Sequence, residues 1–137
     1  MVDQIHAKSN KIKSYRDINV WLKAIDFVTF IYNLTSKYPR DELYGLSLQM
    51  RKCAISIPSN IAEGYGRRST QDYIRFLQIA MGSLYEIQTQ IQISLNLKFI
   101  PQIDFDYIYK KSHQIEILLR SLIEKIKSSK FSNHSVP

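Results

Sequence analysis

The fold is decided by STQDYIRFLQIAMGSLYEIQTQIQISLNLK, residues 69–98. Its apolar residues recur every three or four positions, the period of an α-helix with one buried face. They are Tyr73, Leu77, Ala80, Leu84, Ile87, Ile91 and Leu95. Ser69 and Asp72 have the spacing of a capping box, and Pro101 follows the pattern. The stretch therefore predicts one helix of roughly 45 Å.

Similar patterns on both sides predict three more helices, which span about residues 20–38, 41–63 and 104–128. The expected inward residues are Trp21, Ala24, Val28, Ile31 and Thr35; Leu43, Leu46, Met50, Cys53, Ile57 and Ile61; and Phe105, Ile108, Ile115, Leu118, Leu122 and Ile126. Pro58 lies inside the second helix, where a kink is expected. The connections are short, which makes neighbouring helices antiparallel. The sequence therefore predicts an all-α, up-down-up-down four-helix bundle.

The predicted bundle domain covers residues 17–128, between a flexible basic arm at 1–16 and a flexible tail at 129–137. Cys53 is the only cysteine, so no disulfide forms within the chain, which fits a reducing, cytoplasmic setting. No signal peptide or membrane span is expected, because no long uninterrupted apolar stretch exists. The sequence therefore predicts no membrane partner.

The net charge of +7 favours an acidic partner such as RNA or DNA. The four predicted helices carry only +2 of this charge. The rest lies in residues 1–19, in Arg67 and Arg68, and in Lys130. Basic loops and tails are therefore a better candidate for nucleic-acid contact than a basic groove along a helix.

Two helices carry more apolar residues than one bundle core needs. On the first helix the polar residues Lys23, Asp26, Thr29, Asn33 and Lys37 form one narrow stripe, and most of the remaining surface is apolar. The third helix has Ile74, Phe76, Ile79, Met81 and Ile93 outside its inward stripe. Large exposed apolar patches usually mark interfaces, so a homo-oligomer is expected. The alternative is a wide core within one subunit.

The sequence predicts neither an enzyme nor a metal site, and no cofactor. Two of the three histidines lie in the arm and tail, which leaves His113 without a nucleophile motif. The chain contains no Glu-x-x-His motif, which di-iron helical bundles use, and Cys53 has no Cys or His at ligand spacing.

Several motifs give the chain a family resemblance. Trp21, Ala24, Tyr38-Pro39 and Glu42-Leu43-Tyr44-Gly45-Leu46 begin the pattern, and Gln49 and Arg51 continue it. Its centre is Ser56-Ile57-Pro58-Ser59-Asn60-Ile61-Ala62-Glu63-Gly64, followed by Gly66-Arg67 and Ser69. Phe76-Leu77, Ala80 and Gly82-Ser83-Leu84-Tyr85-Glu86 complete it. Over about residues 17–125 the chain resembles the 23S rRNA intervening-sequence proteins, also called four-helix-bundle proteins.

The resemblance implies a bacterial four-helix bundle that assembles into a ring-like homopentamer and has no known enzymatic activity. A related branch is the accessory protein of diversity-generating retroelements, a basic pentamer that works with a reverse transcriptase and RNA. The helical body of this chain departs from that branch because it is nearly neutral.

Two groups of residues are candidate functional sites. Asn60, Glu63, Ser83 and Glu86 form either a polar pocket or, as we favour, a structural network in which Glu63 pairs with an arginine such as Arg67 or Arg51. The other motif residues, Ser56, Pro58, Gly64 and Gly82, are expected to be structural. Gly45 and Gly82 are expected at close helix approaches. Arg67, Arg68 and Arg75, with the arm residues Lys8, Lys11, Lys13 and Arg16, could bind phosphates. The loop arginines could instead pair with Glu63 or Glu86, or lie solvated.

These observations leave two hypotheses. One is a non-catalytic oligomeric scaffold that binds RNA or other nucleic acid. The other is a scaffold whose partner is another protein and whose positive charge is incidental.

Overall fold

Four α-helices make up most of the chain. The computed structural model describes residues 11–134, and it describes side chains for residues 11–129. The helices are α1 (Asn19–Thr35), α2 (Leu46–Tyr65), α3 (Thr70–Asn96) and α4 (Gln102–His134). Residues 11–134 contain no strand, so the prediction of an all-α fold is confirmed.

The helices are arranged as an up-down-up-down bundle. Each helix contacts its neighbour in sequence, and α1 also contacts α4. Contacts between α2 and α3 run in opposite sequence directions: Met50 lies against Ser94, whereas Ser56, later in α2, lies against Ser83, earlier in α3. This order of contacts is that of antiparallel helices.

The second helix starts later than the sequence predicts. Arg40–Glu42 form a 3-10 turn, and α2 begins only at Leu46, whose backbone N–H donates to Glu42 Oε2 at 3.0 Å. Gly45 is therefore the residue before the helix and not a helix-interior glycine, so the expected close helix approach there was wrong. The helix continues through Pro58 to Tyr65, and the kink at Pro58 stays a prediction.

Two predicted boundaries of α3 have local explanations. At its start, the Ser69 hydroxyl accepts from the Asp72 backbone N–H at 3.1 Å, so Ser69 caps the helix as expected, but the reciprocal bond that would complete a capping box is not formed. At its end, Lys98 adopts a left-handed conformation with φ of 62°. The Lys98 N–H donates to Leu95 O and the Phe99 N–H to Ser94 O, which is a Schellman motif. The helix therefore ends at Asn96, ahead of Pro101.

The residues that are buried agree with the predicted inward face of α3 but differ from that of α1. Leu77, Ala80, Leu84, Ile87 and Ile91 are fully buried. On α1, by contrast, Phe27 and Leu34 are buried, whereas the expected Trp21 and Val28 are only half-buried. The inward face of α1 is therefore rotated from the predicted one. Leu43, expected inside, lies before α2 and is exposed.

Ordered structure extends beyond the predicted domain limits at both ends. Tyr15–Asp17 form a 3-10 turn, which Ser14 and Asp17 close with a reciprocal capping box. The Tyr15 ring lies 5.1 Å from that of Trp21, so this turn packs on α1. At the other end, α4 continues to His134 instead of ending near residue 128.

Candidate functional site

The predicted polar motif forms a hydrogen-bonded seam between α2 and α3. The hydroxyls of Ser56 and Ser83 lie 2.7 Å apart. The Asn60 side-chain amide donates to the Ser56 carbonyl at 2.7 Å and to the Ser56 hydroxyl at 2.9 Å. These side chains are half-buried and satisfy one another, which favours a structural network over an open pocket.

The seam continues along α2 to Cys53. Its thiol donates to Glu86 Oε2 at 2.9 Å and accepts from Gln90 Nε2 at 3.5 Å. Burial and the hydrogen bond to Glu86 raise the pKa of the Cys53 thiol to about 11. Because the thiolate is the reactive species, Cys53 is a poor nucleophile and acts here as a packed hydrogen-bond donor.

Glu63 does not belong to this seam. It is exposed, and its Oε1 lies 3.1 Å from the Arg67 guanidinium one helical turn later. The expected arginine partner is confirmed, but Glu63 lies outside the hydrogen-bonded network to which it was assigned. Exposed pairs of this kind contribute about 0–1 kcal/mol, so Glu63 contributes less to stability than Asn60.

Two motif glycines have different surroundings. A Cβ on Gly64 would lie 2.8 Å from Phe76 Cβ and 3.1 Å from Tyr73 Cδ1, so Gly64 lets α2 and α3 approach closely. A Cβ on Gly82 would meet nothing within 4 Å among the described residues. The expected close approach at Gly82 was therefore wrong within one subunit.

The predicted loop arginines lie together at the α2–α3 corner. The guanidinium carbons of Arg67 and Arg75 lie 4.6 Å and 4.7 Å from the centroid of the Phe76 ring. Arg75 also lies 3.5 Å from Asp72 Oδ1. Arg68 is exposed and has no ion pair with any described residue. We call Arg67, Arg68 and Arg75 the arginine corner; two of its three charges are locally balanced.

The arm residues are only partly described. Lys8 lies outside the described residues, and Lys11 and Lys13 are exposed. The Arg16 guanidinium carbon lies 5.5 Å from the centroid of the Trp21 ring, so Arg16 is attached to the bundle. The start of α1 lies at the same end of an antiparallel bundle as the α2–α3 loop. Arg16 and the arginine corner therefore belong to one basic end.

An apolar depression crosses the outer surface of α1 and α2. It has a volume of about 290 Å³. We call its apolar lining the α1–α2 patch: Tyr15, Trp21, Ile25, Val28, Ile55, Pro58 and Ala62. Ile25 and Ile55 are 38% and 42% exposed, so these large side chains line an open surface rather than the core.

The described residues give no support to catalysis or metal binding. His113 Nδ1 lies 3.5 Å from Glu116 Oε1 at the surface of α4, and Arg120 contacts the same carboxylate. Among residues 11–134, no group of three or more His, Cys, Asp or Glu side chains could hold a metal ion. None of the four helices, as far as they are described, is long and apolar enough to cross a bilayer.

The hydrogen bonds of Cys53 with Glu86 and Gln90, and the one between Ser56 and Ser83, were not predicted from the sequence. The two serines had been placed on facing helices, but their contact depends on the register between α2 and α3.

Comparison with known proteins identifies the family. The family model described as "23S rRNA-intervening sequence protein" matches residues 16–121. A crystal structure of a protein of unknown function from the S23 ribosomal protein family of Bacteroides thetaiotaomicron is similar, with a TM-score of 0.72 and 26% identity. The match covers 77% of this chain and 95% of that one. No curated protein matches the chain. The α2–α3 motif, the four-helix fold and the matched length together show that the chain belongs to the 23S rRNA-intervening sequence protein family.

Proposed function

We propose that this protein is a non-catalytic helical scaffold that self-associates through the α1–α2 patch and binds RNA through its basic end. The single observation that carries the proposal is the patch itself. Single exposed apolar side chains are common on soluble proteins, but a contiguous apolar depression formed by two helices is typical of an interface.

The patch has the composition of an interface centre. The Trp21 and Tyr15 rings stack edge to face at one end, and Ile25 and Ile55 line the open part. Aromatic residues are enriched at interface centres, where charged residues are depleted. Arg16 places its guanidinium over the Trp21 ring at the edge of the patch. This arrangement supports an apolar centre with a charged rim.

A closed ring needs a second, different surface, because neighbouring subunits in a ring contact each other head to tail. Exposed apolar residues on α3 provide a candidate. Ile79 and Ile93 are both 42% exposed and lie on the same side of the helix, with Gly82 between them. The open space at Gly82 would admit a side chain of the neighbouring subunit. Five subunits is the number that the family resemblance implies.

The basic end supports the choice of an anionic partner. Arg68 is exposed without a described counter-ion, and Lys11 and Lys13 are exposed nearby in sequence to Arg16. Glu63 and Asp72 reduce the local charge, so one subunit has few free cations. Assembly would repeat this end around an axis, and multivalency would strengthen weak phosphate contacts.

The assembly is tested by placing a charge in the patch. Ile25→Glu and Ile55→Glu should each give smaller particles on size-exclusion chromatography while their far-UV circular dichroism stays helical, since both side chains are already exposed within the subunit. Ile117→Glu is the matched control, because Ile117 is 52% exposed on α4 outside the patch. Unchanged elution of both patch variants would contradict the assigned interface.

The RNA contact is tested by fluorescence titration of labelled RNA at low and high salt. Phosphate binding should weaken steeply with salt and be insensitive to sequence. Arg67→Ala/Arg68→Ala should weaken it, whereas Arg120→Ala, at an exposed position on α4 outside the arginine corner, should not. If the double variant keeps its salt-sensitive binding in full, the arm residues and not the arginine corner contact the RNA. No binding by the wild type at low salt would favour the scaffold for another protein.

A further inference from the structure

The structure has another surface feature, which neither the proposed self-association nor the proposed RNA contact uses. The polar stripe of α1 faces a groove between α1 and α4, with a volume of about 370 Å³. Neither the α1–α2 patch nor the arginine corner contributes a residue to this groove. Its size lies within the range of small-molecule sites, about 300–1,000 Å³.

The groove has an aromatic wall. The rings of Phe30 on α1 and Tyr107 on α4 lie 4.9 Å apart with planes tilted by 35°. Tyr107 lines the groove and is 48% exposed, so its side chain is accessible to solvent. A planar, apolar group is the ligand that such a wall would accept by stacking.

Two cations face the same space from opposite helices. Lys23 is on α1 and Lys111 on α4, and neither lies within 4.0 Å of a described carboxylate. The Lys111 ammonium lies 5.4 Å from the centroid of the Tyr107 ring, which places a positive charge beside the aromatic wall. A ligand with an anionic group next to a planar ring matches this juxtaposition.

The other polar residues that line the groove restrict the kinds of ligand that could bind there. Asn33 and Gln114 bring side-chain amides, which both donate and accept hydrogen bonds. Asp26 brings an acceptor and reduces the charge of the groove to a net +1. A net charge of +1 is too small to bind several consecutive phosphates. It suits a ligand that carries one phosphate next to groups with N–H or O–H donors. A nucleotide has all of these: a planar base with hydrogen-bonding edges, a hydroxylated sugar and one phosphate.

We propose that the α1–α4 groove binds a single nucleotide unit, with its base against Phe30 and Tyr107 and its phosphate between Lys23 and Lys111. The unit can come from a free mononucleotide or from one residue of single-stranded RNA. The site is separate from the RNA contact proposed for the basic end, so either assignment can stand without the other.

The test is isothermal titration of the full chain with adenosine 5′-monophosphate, adenosine and ribose 5-phosphate. The monophosphate should bind at least about tenfold more tightly than either fragment, because only it engages the wall and the lysines together. Equal binding of the monophosphate and either fragment would overturn the proposal, as would absence of binding by both the monophosphate and a single-stranded oligoadenylate.

Neighbouring residues on α4 supply matched controls. Lys111→Gln and Tyr107→Leu should each weaken monophosphate binding by roughly tenfold. Lys110→Gln and Tyr109→Leu, at exposed positions that do not line the groove, should leave binding unchanged. Equal effects of groove and control variants would overturn the assignment.

The source of the nucleotide is decided by competition. Displacement of the monophosphate by single-stranded oligoadenylate, but not by an RNA duplex, would identify a residue of a strand as the ligand. Binding of the monophosphate without such competition would identify the free nucleotide. Monophosphate binding by Arg67→Ala/Arg68→Ala should match that of the wild type, which separates this site from the basic end.

Discussion

Gly64→Ala is the substitution whose effect follows most directly from the structure. The added Cβ would lie 2.8 Å from Phe76 Cβ and 3.2 Å from the Tyr73 carbonyl oxygen. Carbon atoms in contact normally lie about 3.5–4.0 Å apart, so the shortfall is roughly an ångström. The obstructing atoms belong to the backbone and to a Cβ, which cannot move without moving α3. The helices must therefore separate locally.

The expected cost is the balance of two effects. Overpacking of this kind costs about 1–3 kcal/mol. Replacing a helical glycine by alanine gains up to about 1 kcal/mol, and less near a helix end. The net loss in the free energy of unfolding should therefore be about 0.5–2 kcal/mol. Truncating Phe76 to alanine should not relieve it, because the truncated side chain keeps the same Cβ.

The assay is urea unfolding followed by far-UV circular dichroism at a fixed protein concentration. Gly66→Ala is the matched control, since a Cβ there would meet its nearest neighbour only at 3.6 Å and its φ of −77° suits alanine. This control should be neutral or stabilising. Equal unfolding midpoints for the two variants would show that α2 and α3 are not as close at Gly64 as the structure places them.

Three other changes test separate parts of the fold by the same unfolding measurement. Asn60→Leu should lower the free energy of unfolding by about 0.5–1.5 kcal/mol, because it removes the hydrogen bonds to Ser56; an unchanged midpoint would reopen the pocket interpretation. Lys98→Gly should raise it by up to about 1 kcal/mol, since glycine adopts φ of 62° without steric cost; a loss would contradict the left-handed cap. The free energy of unfolding should fall as the pH rises from about 9 toward 11. The pKa of Cys53 is about 11 in the folded chain and near 9.0 in the unfolded chain. The protonated thiol therefore stabilises the fold fully only below about pH 9. In Cys53→Ala this part of the decline should disappear. A later decline above pH 10 should remain, because burial raises the pKa of Tyr73 to about 12 and also raises the pKa of Tyr38. An identical profile in the variant would refute the role given to Cys53.

The fold was predictable because helix period and turn residues act locally. The helix period alone places the apolar residues from Leu77 to Ile91 on one face of α3. Pro39, Gly66 and Pro101 mark the connections that separate the helices. The inward face was predicted wrongly on α1, where apolar residues occupy most of the helix surface. On α1 the sequence offers several apolar stripes, and only packing against α2 and α4 selects the one containing Phe27 and Leu34.

The candidate sites were less predictable, because they depend on the register between helices. Asn60 and Glu63 lie three residues apart, yet only Asn60 joins the seam, through its hydrogen bonds to Ser56, and Glu63 is exposed. The groove between Lys23 and Lys111 joins residues 88 positions apart, which no local pattern relates. The place of the arginine corner and the pair of Arg67 with Glu63 were predictable, but the contacts of Arg67 and Arg75 with the Phe76 ring were not.

The molar mass of the wild type in solution shows whether the protein is a single subunit or an assembly. Multi-angle light scattering after size exclusion, at micromolar concentration and moderate salt, measures that mass without reference to shape. Each subunit weighs 16.1 kDa, so the proposed self-association should give a discrete multiple of this mass, about 80 kDa for a five-membered ring. A single peak at 16.1 kDa, unchanged on concentration, would rule out the proposed assembly.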